Sequence, residues 1–134
     1  MKNDFPSVNL VIFGGEEAPL VAKELAASNI PLILSENQPS PDTFRSKDTA
    51  IGPPLTRYVA SYLSEAGVKY GLSVAENSFI GSFRIHDLGP EAGWTAKFAH
   101  HDENEAIRLI TSNIETILGL APSRDLVVFE GNPL

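Results

Sequence analysis

Cysteine is absent from this sequence. That excludes a thiolate nucleophile, an iron–sulfur cluster and a zinc–thiolate site, and leaves no disulfide to hold the fold. No run approaches the ~20 apolar residues of a membrane span, and the opening Met1-Lys2-Asn3-Asp4-Phe5-Pro6 has no apolar stretch of signal-peptide length. A cytoplasmic location and no membrane partner are the expectation. Positive charge is scarce, with 10 Lys and Arg against 17 Asp and Glu and a formal net charge of −7. Binding a phosphate backbone depends on clustered cations, and those here are scattered, so nucleic acid is not an expected partner.

What remains is 134 residues with 43% hydrophobic content, which fits a single domain over residues 1–134. A chain of this size buries about two thirds of its unfolded surface, enough for a core without a disulfide or structural metal.

Residues 8–13 are an apolar run but for Asn9, the pattern of a strand covered on both faces of a parallel sheet, and Gly14-Gly15 ends it. A helix is expected over 16–28, with acidic residues in its first turn and Leu20, Val21, Ala22, Leu25 and Ala26 at helical spacing. Residues 30–34 read as a second strand, which makes a strand–helix–strand unit with a parallel crossover. The chain from 36 to 54 is rich in Pro, Ser, Asp and Gly, a long loop that reads either as a binding segment or lid over 37–52 or as a surface insertion.

A second helix over 54–66 carries Leu55, Val59, Tyr62 and Leu63 on one stripe, with Gly67 as its stop, and a strand follows over 68–74. Residues 75–90 are irregular and 91–99 form a short helix with the only tryptophan, Trp94. Asp102 and Glu105 have the spacing of a capping box at the head of a long helix that Gly119 closes, and a last strand lies within 125–130. The order β-α-β-α-β-α-α-β specifies an α/β fold: a three-layer parallel sheet of about four strands with flanking helices.

Ligands of parallel α/β sheets bind beyond the carboxyl ends of the strands. Those ends place Gly15 and Glu16, Glu36 and Asn37, and Glu76 and Asn77 along one edge, the candidate ligand-binding residues of the chain. The same carboxylates also read as solvated surface. His100-His101-Asp102 offers metal-ligand atoms, but Asp102 has a simpler use as a helix cap. His86-Asp87 with Ser78 or Ser82 has the composition of a hydrolytic triad without a Gly-X-Ser-X-Gly elbow. Gly14-Gly15-Glu16 lacks the glycine pattern of a phosphate loop, and Glu16-Glu17 repel phosphate. Trp94, Phe98 and Phe83 read as core.

The run Val8 to Ala18, with Glu24-Leu25-Ala26 and Ile30-Pro31-Leu32-Ile33-Leu34, resembles late barrel strands of imidazolonepropionase-like members of the amidohydrolase superfamily. The stretch from Ala96-Lys97 through Thr111-Ser112-Asn113 and Ile117-Leu118-Gly119-Leu120 to Asp125-Leu126-Val127-Val128-Phe129-Glu130-Gly131-Asn132-Pro133-Leu134 resembles that family's C-terminal portion. Gly52-Pro53-Pro54-Leu55-Thr56, Glu65-Ala66-Gly67-Val68 and Gly89-Pro90-Glu91-Ala92-Gly93-Trp94 look most like fungal members, often labelled carbohydrate esterase family nine proteins.

The resemblance implies part of an eight-stranded β/α barrel, whose members hold catalytic metal with histidines of early strands, a mid-barrel Lys or Glu and an Asp after the last strand. Here the paired His-X-His signature is absent, and Ser73-Val74-Ala75-Glu76-Asn77-Ser78 has Glu76 as the carboxylate nearest the Asp position. Several ligands are needed to hold a metal and acidify its water. The expectation is therefore a degenerate, non-catalytic amidohydrolase-related domain without metal or other cofactor, acting as a small-ligand or protein-interaction module. The alternative is a zinc-dependent hydrolase of amide or cyclic amide C–N bonds whose active site another chain completes. A few strands taken from a closed barrel expose edges and apolar faces. Either the sheet takes a flavodoxin-like form with helices on both faces, or a homodimer or partner chain covers it.

Overall fold

The computed structural model describes residue 4 and residues 6–15, 17–35, 57–73 and 85–132. Strand β1 (Ile12–Gly14) leads through a 3-10 turn (Ala18–Val21) into α1 (Ala22–Ala27) and β2 (Leu32–Leu34). Helix α2 (Val59–Ala66) and β3 (Tyr70–Leu72) follow, then a 3-10 turn (Ile85–Asp87), α3 (Leu88–Ala99), α4 (Glu103–Leu109) and α5 (Ser112–Leu118).

The strands form a parallel sheet in the order β1-β2-β3. Ile12, Leu32 and Tyr70 are in register, as are Phe13, Ile33 and Gly71, and Gly14, Leu34 and Leu72. Successive strand residues face opposite ways, so these rows give the sheet two chemically distinct faces. Leu32, Leu34, Tyr70 and Leu72 share one core with Leu25 of α1, Val59, Ala60 and Leu63 of α2, and Ala92 and Ala99 of α3. On the other face α5 lies against Gly71: a methyl group added there would meet the Leu109 carbonyl oxygen at 3.0 Å and Ile114 Cγ1 at 3.2 Å. Helices on both faces make the three-layer α/β fold that the sequence specifies. The strand order does not reverse, so these strands contain no topological switch point of the doubly wound kind.

Helix ends follow the residues read as stops. Gly67 and Gly119 take the left-handed conformation at the ends of α2 and α5, with φ of 75° and 69°, where a Cβ is disfavoured. The capping box is present: Glu105 N–H donates to Asp102 Oδ1 at 2.8 Å, and Asp102 N–H donates to Glu105 Oε2 at 3.1 Å.

Three expectations are corrected. The long helix after Asp102 is two helices, broken at Ile110 and Thr111. Thr111 Oγ1 donates back to the Ile107 carbonyl at 2.7 Å, and the Asn113 side-chain amide donates to the Tyr70 carbonyl at 3.1 Å. These bonds turn α5 onto β3, and Gly71 leaves room for it. The last strand is absent as well: residues 121–129 are irregular, and Leu126, Val127, Val128 and Phe129 are 88%, 77%, 91% and 61% exposed. A β-prone run becomes a strand only against a partner strand on a half-buried surface. Among the described residues nothing pairs with this one, and its approach is held by side chains instead, with Ser123 N–H on Glu115 and Asp125 N–H on Ser123 Oγ. Finally, Trp94 is half exposed, and its indole N–H donates to the Tyr58 hydroxyl at 3.0 Å beside Phe98. Phe83 lies outside the described residues.

Candidate functional site

The in-register ends Gly14, Leu34 and Leu72 bring the roots of three loops to one sheet edge. Of the residues assigned there from sequence, Gly15 is described and the other five, Glu16, Glu36, Asn37, Glu76 and Asn77, lie outside the described residues. Gly15 has a local structural use. Its φ is +86°, its carbonyl accepts from Ala18 N–H at 3.0 Å, and a Cβ there would sit 3.1 Å from Leu32 Cδ1.

Side chains gather instead at the opposite, amino-terminal end of β3. Helix α2 ends at Gly67, and the left-handed turn there brings Ser64 and Tyr70 together, with Ser64 Oγ 2.9 Å from Tyr70 Oη. His101, just past the left-handed residue His100 that closes α3, enters from the other side. Its Nε2 lies 3.0 Å from both Ser64 Oγ and Tyr70 Oη, and its Nδ1 lies 3.1 Å from Glu105 Oε2. An ionised carboxylate only accepts, so Nδ1 carries a proton toward Glu105, and in the neutral imidazole Nε2 then accepts. A consistent chain of donors then runs from Ser64 to Tyr70, from Tyr70 to His101 and from His101 to Glu105. Glu105 thus serves both the helix cap and the imidazole.

Tyr70 is buried, and burial pushes its phenol pKa above the ordinary value, against the Ser64 hydrogen bond, which lowers it. It therefore stays neutral and keeps its proton to donate. A cleft of about 430 Å³ opens over this cluster, floored by Val68, Leu109 and Ile117 and rimmed by Lys69, Arg108 and Asn113.

Hydroxyl, imidazole and carboxylate stand in the sequence of a hydrolytic relay. Among the described residues, the turn after Ser64 supplies no oxyanion site. The amides of Gly67 and Val68, the free-facing candidates in the turn after Ser64, are spent on the Ser64 and Leu63 carbonyls. Among the described residues the arrangement offers hydrogen bonds and charge to a bound molecule, and the turn beside Ser64 lacks the paired main-chain donors that acyl transfer uses.

The other sequence candidates do not join this cluster. His86 and Asp87 pair with each other at 3.2 Å on the surface, and Ser78 and Ser82 lie outside the described residues. His100 is exposed at its helix end. Among the described residues no group of three His, Cys, Asp or Glu side chains is placed to hold a metal ion, and no helix is long and apolar enough to cross a membrane. The Ser64–Tyr70–His101–Glu105 cluster was not read from sequence as a site. Its one local signal was the four-residue step from His101 to Glu105, which the capping motif had already absorbed.

The fold defines an α/β chain of the strand–helix–strand class. Among curated proteins it is similar to Amidohydrolase tasK of Hapsidospora irregularis, at 33% identity over 116 residues, covering 84% of this chain and 11% of that protein. The chain thus spans about a tenth of the length of this relative, and the relationship it supports is amidohydrolase-like. No family profile matches the chain, and no solved structure matches it.

Proposed function

We propose that this chain is an amidohydrolase-related domain that works as an interaction module, with no metal-hydrolase centre of its own. The observation that carries the reading is the unreversed parallel order β1-β2-β3, with α1 and α2 sharing the core of one sheet face. Consecutive parallel strands backed by their connecting helices are how a β/α barrel wall is built, which agrees with the likeness to an amidohydrolase. A wall segment leaves β1 with an edge that pairs with nothing among the described residues, and leaves Phe13, on the face that α5 covers at β3, half exposed. Edge strands of this kind take up a neighbouring strand. The occupant that fits is an α/β chain carrying the adjacent wall, in the first instance a second copy.

Molar mass by light scattering, measured together with metal content on protein purified without chelator, tests this. A metal-free dimer, or a metal-free chain that gains mass only with an added partner, is the expected result. Zinc at one or two equivalents would overturn the non-catalytic reading. The likeness to an amidohydrolase favours one second reading, a C–N hydrolase whose metal site another chain completes. Zinc that binds only in the presence of that chain would establish it.

A further inference from the structure

We infer that the cleft at the amino-terminal end of β3 binds a small organic acid, with its carboxylate on Lys69 and Arg108. The inference does not depend on the amidohydrolase relationship and concerns the sheet end opposite to the one where barrel enzymes place their chemistry.

Charge is the first ground. The chain carries a net −7, yet among the described residues Lys69, Arg108 and His101 line this cleft with Glu105 as the one acidic lining residue. Glu105 is occupied, since its Oε2 accepts from His101 Nδ1 and from the Asp102 amide. Lys69 and Arg108 make no ion pair among the described residues. Two cations beside an engaged carboxylate leave a local excess of positive charge in an acidic chain. An arginine fork matches a carboxylate with two parallel hydrogen bonds.

Shape and polarity are the second ground. About 430 Å³ lies within the range of small-molecule sites, roughly 300–1,000 Å³. Val68, Leu109 and Ile117 offer apolar walls to a carbon body. Asn113 is held by its bond to the Tyr70 carbonyl, and the Ser64, Tyr70 and His101 cluster is locked by its own hydrogen bonds. The polar wall is thus rigid before a ligand arrives, which lowers the ordering cost of binding. A bare inorganic anion would use the cations and leave the apolar walls unused.

The test uses the full chain and benzoate as probe, followed by amide-resolved NMR titration. Saturable shifts confined to 64–70, 101–109 and 113–117 are expected. The neutral isostere benzamide should produce none, and inorganic phosphate should bind more weakly than benzoate. Lys69 and Arg108 are exposed, so a Lys69→Gln/Arg108→Gln variant should keep its fold, checked by its unchanged far-UV spectrum, and should weaken benzoate by at least about tenfold. Equal binding of benzamide and benzoate, undiminished binding by the double variant, or no saturable shift would each overturn the inference. Phosphate binding as tight as benzoate would overturn the organic-acid assignment by showing that the apolar walls contribute nothing.

Discussion

Tyr70 Oη and His101 Nε2 lie 3.0 Å apart although 31 positions of chain separate them. This contact ties the first residue of a sheet strand to the junction between α3 and α4. Because Tyr70 is buried, its hydroxyl depends on that partner and on Ser64. His101→Ala should lower stability by about 0.5–1.5 kcal/mol, the usual net worth of one hydrogen bond, because Ser64 stays as a partner of the Tyr70 hydroxyl. Tyr70→Phe should cost less in the His101→Ala background than in the parent. Urea denaturation of the two single variants and the double variant measures the coupling, and strictly additive losses would show that the bond contributes nothing.

The same tyrosine sets an alkaline limit. Its folded pKa lies above the unfolded value of about 10, so the folded state holds the phenol proton more tightly than the unfolded chain does. The contribution of this group is fully present below the unfolded pKa and is lost as pH rises through the folded one. The urea midpoint should therefore fall above about pH 10, and Tyr70→Phe should flatten that part of the profile. An unchanged slope in the variant would assign the alkaline loss to other groups.

Gly71 is the point where α5 meets the sheet. A methyl group there would stand 3.0 Å from a backbone oxygen, which cannot rotate away as a side chain could. Gly71→Ala should destabilise by about 1–3 kcal/mol, the range for overpacking. Thermal or urea unfolding reads this directly, and a neutral result would mean that α5 shifts on the sheet without cost.

Asp102→Ala removes the acceptor of the Glu105 amide and should cost about 1 kcal/mol. Because Glu105 also receives the His101 ring proton, the loss should extend past the helix terminus. Amide exchange is expected to quicken at residues 103–106 and also around Tyr70. Exchange that quickens only at the head of α4 would confine Asp102 to capping.

The sequence made the layered fold legible where patterns are local and self-consistent. Apolar runs located β1 and β2, the glycines at 67 and 119 marked helix ends, and Asp102 with Glu105 announced a cap. It overextended elements whose limits depend on tertiary context: Leu10 and Val11 are as apolar as Ile12 and Phe13, yet the described strand begins where Pro31 and Leu32 offer partners. The break at Thr111 was hidden because the apolar spacing runs through it, and the turn is imposed by Asn113 reaching a strand 43 positions away. The cleft was hidden for a related reason. Ser64, Tyr70 and His101 are ordinary residues in sequence, and only the turn at Gly67 and the packing of α3 bring them together.

The exposed run at 126–129 has a consequence for handling the protein. Leu126-Val127-Val128-Phe129 is a short, uncharged, β-prone window of the sort that seeds intermolecular strands. Arg124 and Asp125 precede it and Glu130 follows, charges placed as gatekeepers on either side. Replacing Asp125 by Asn and Glu130 by Gln removes two of the three guards, so concentrated stocks of that variant should cloud where the parent stays clear.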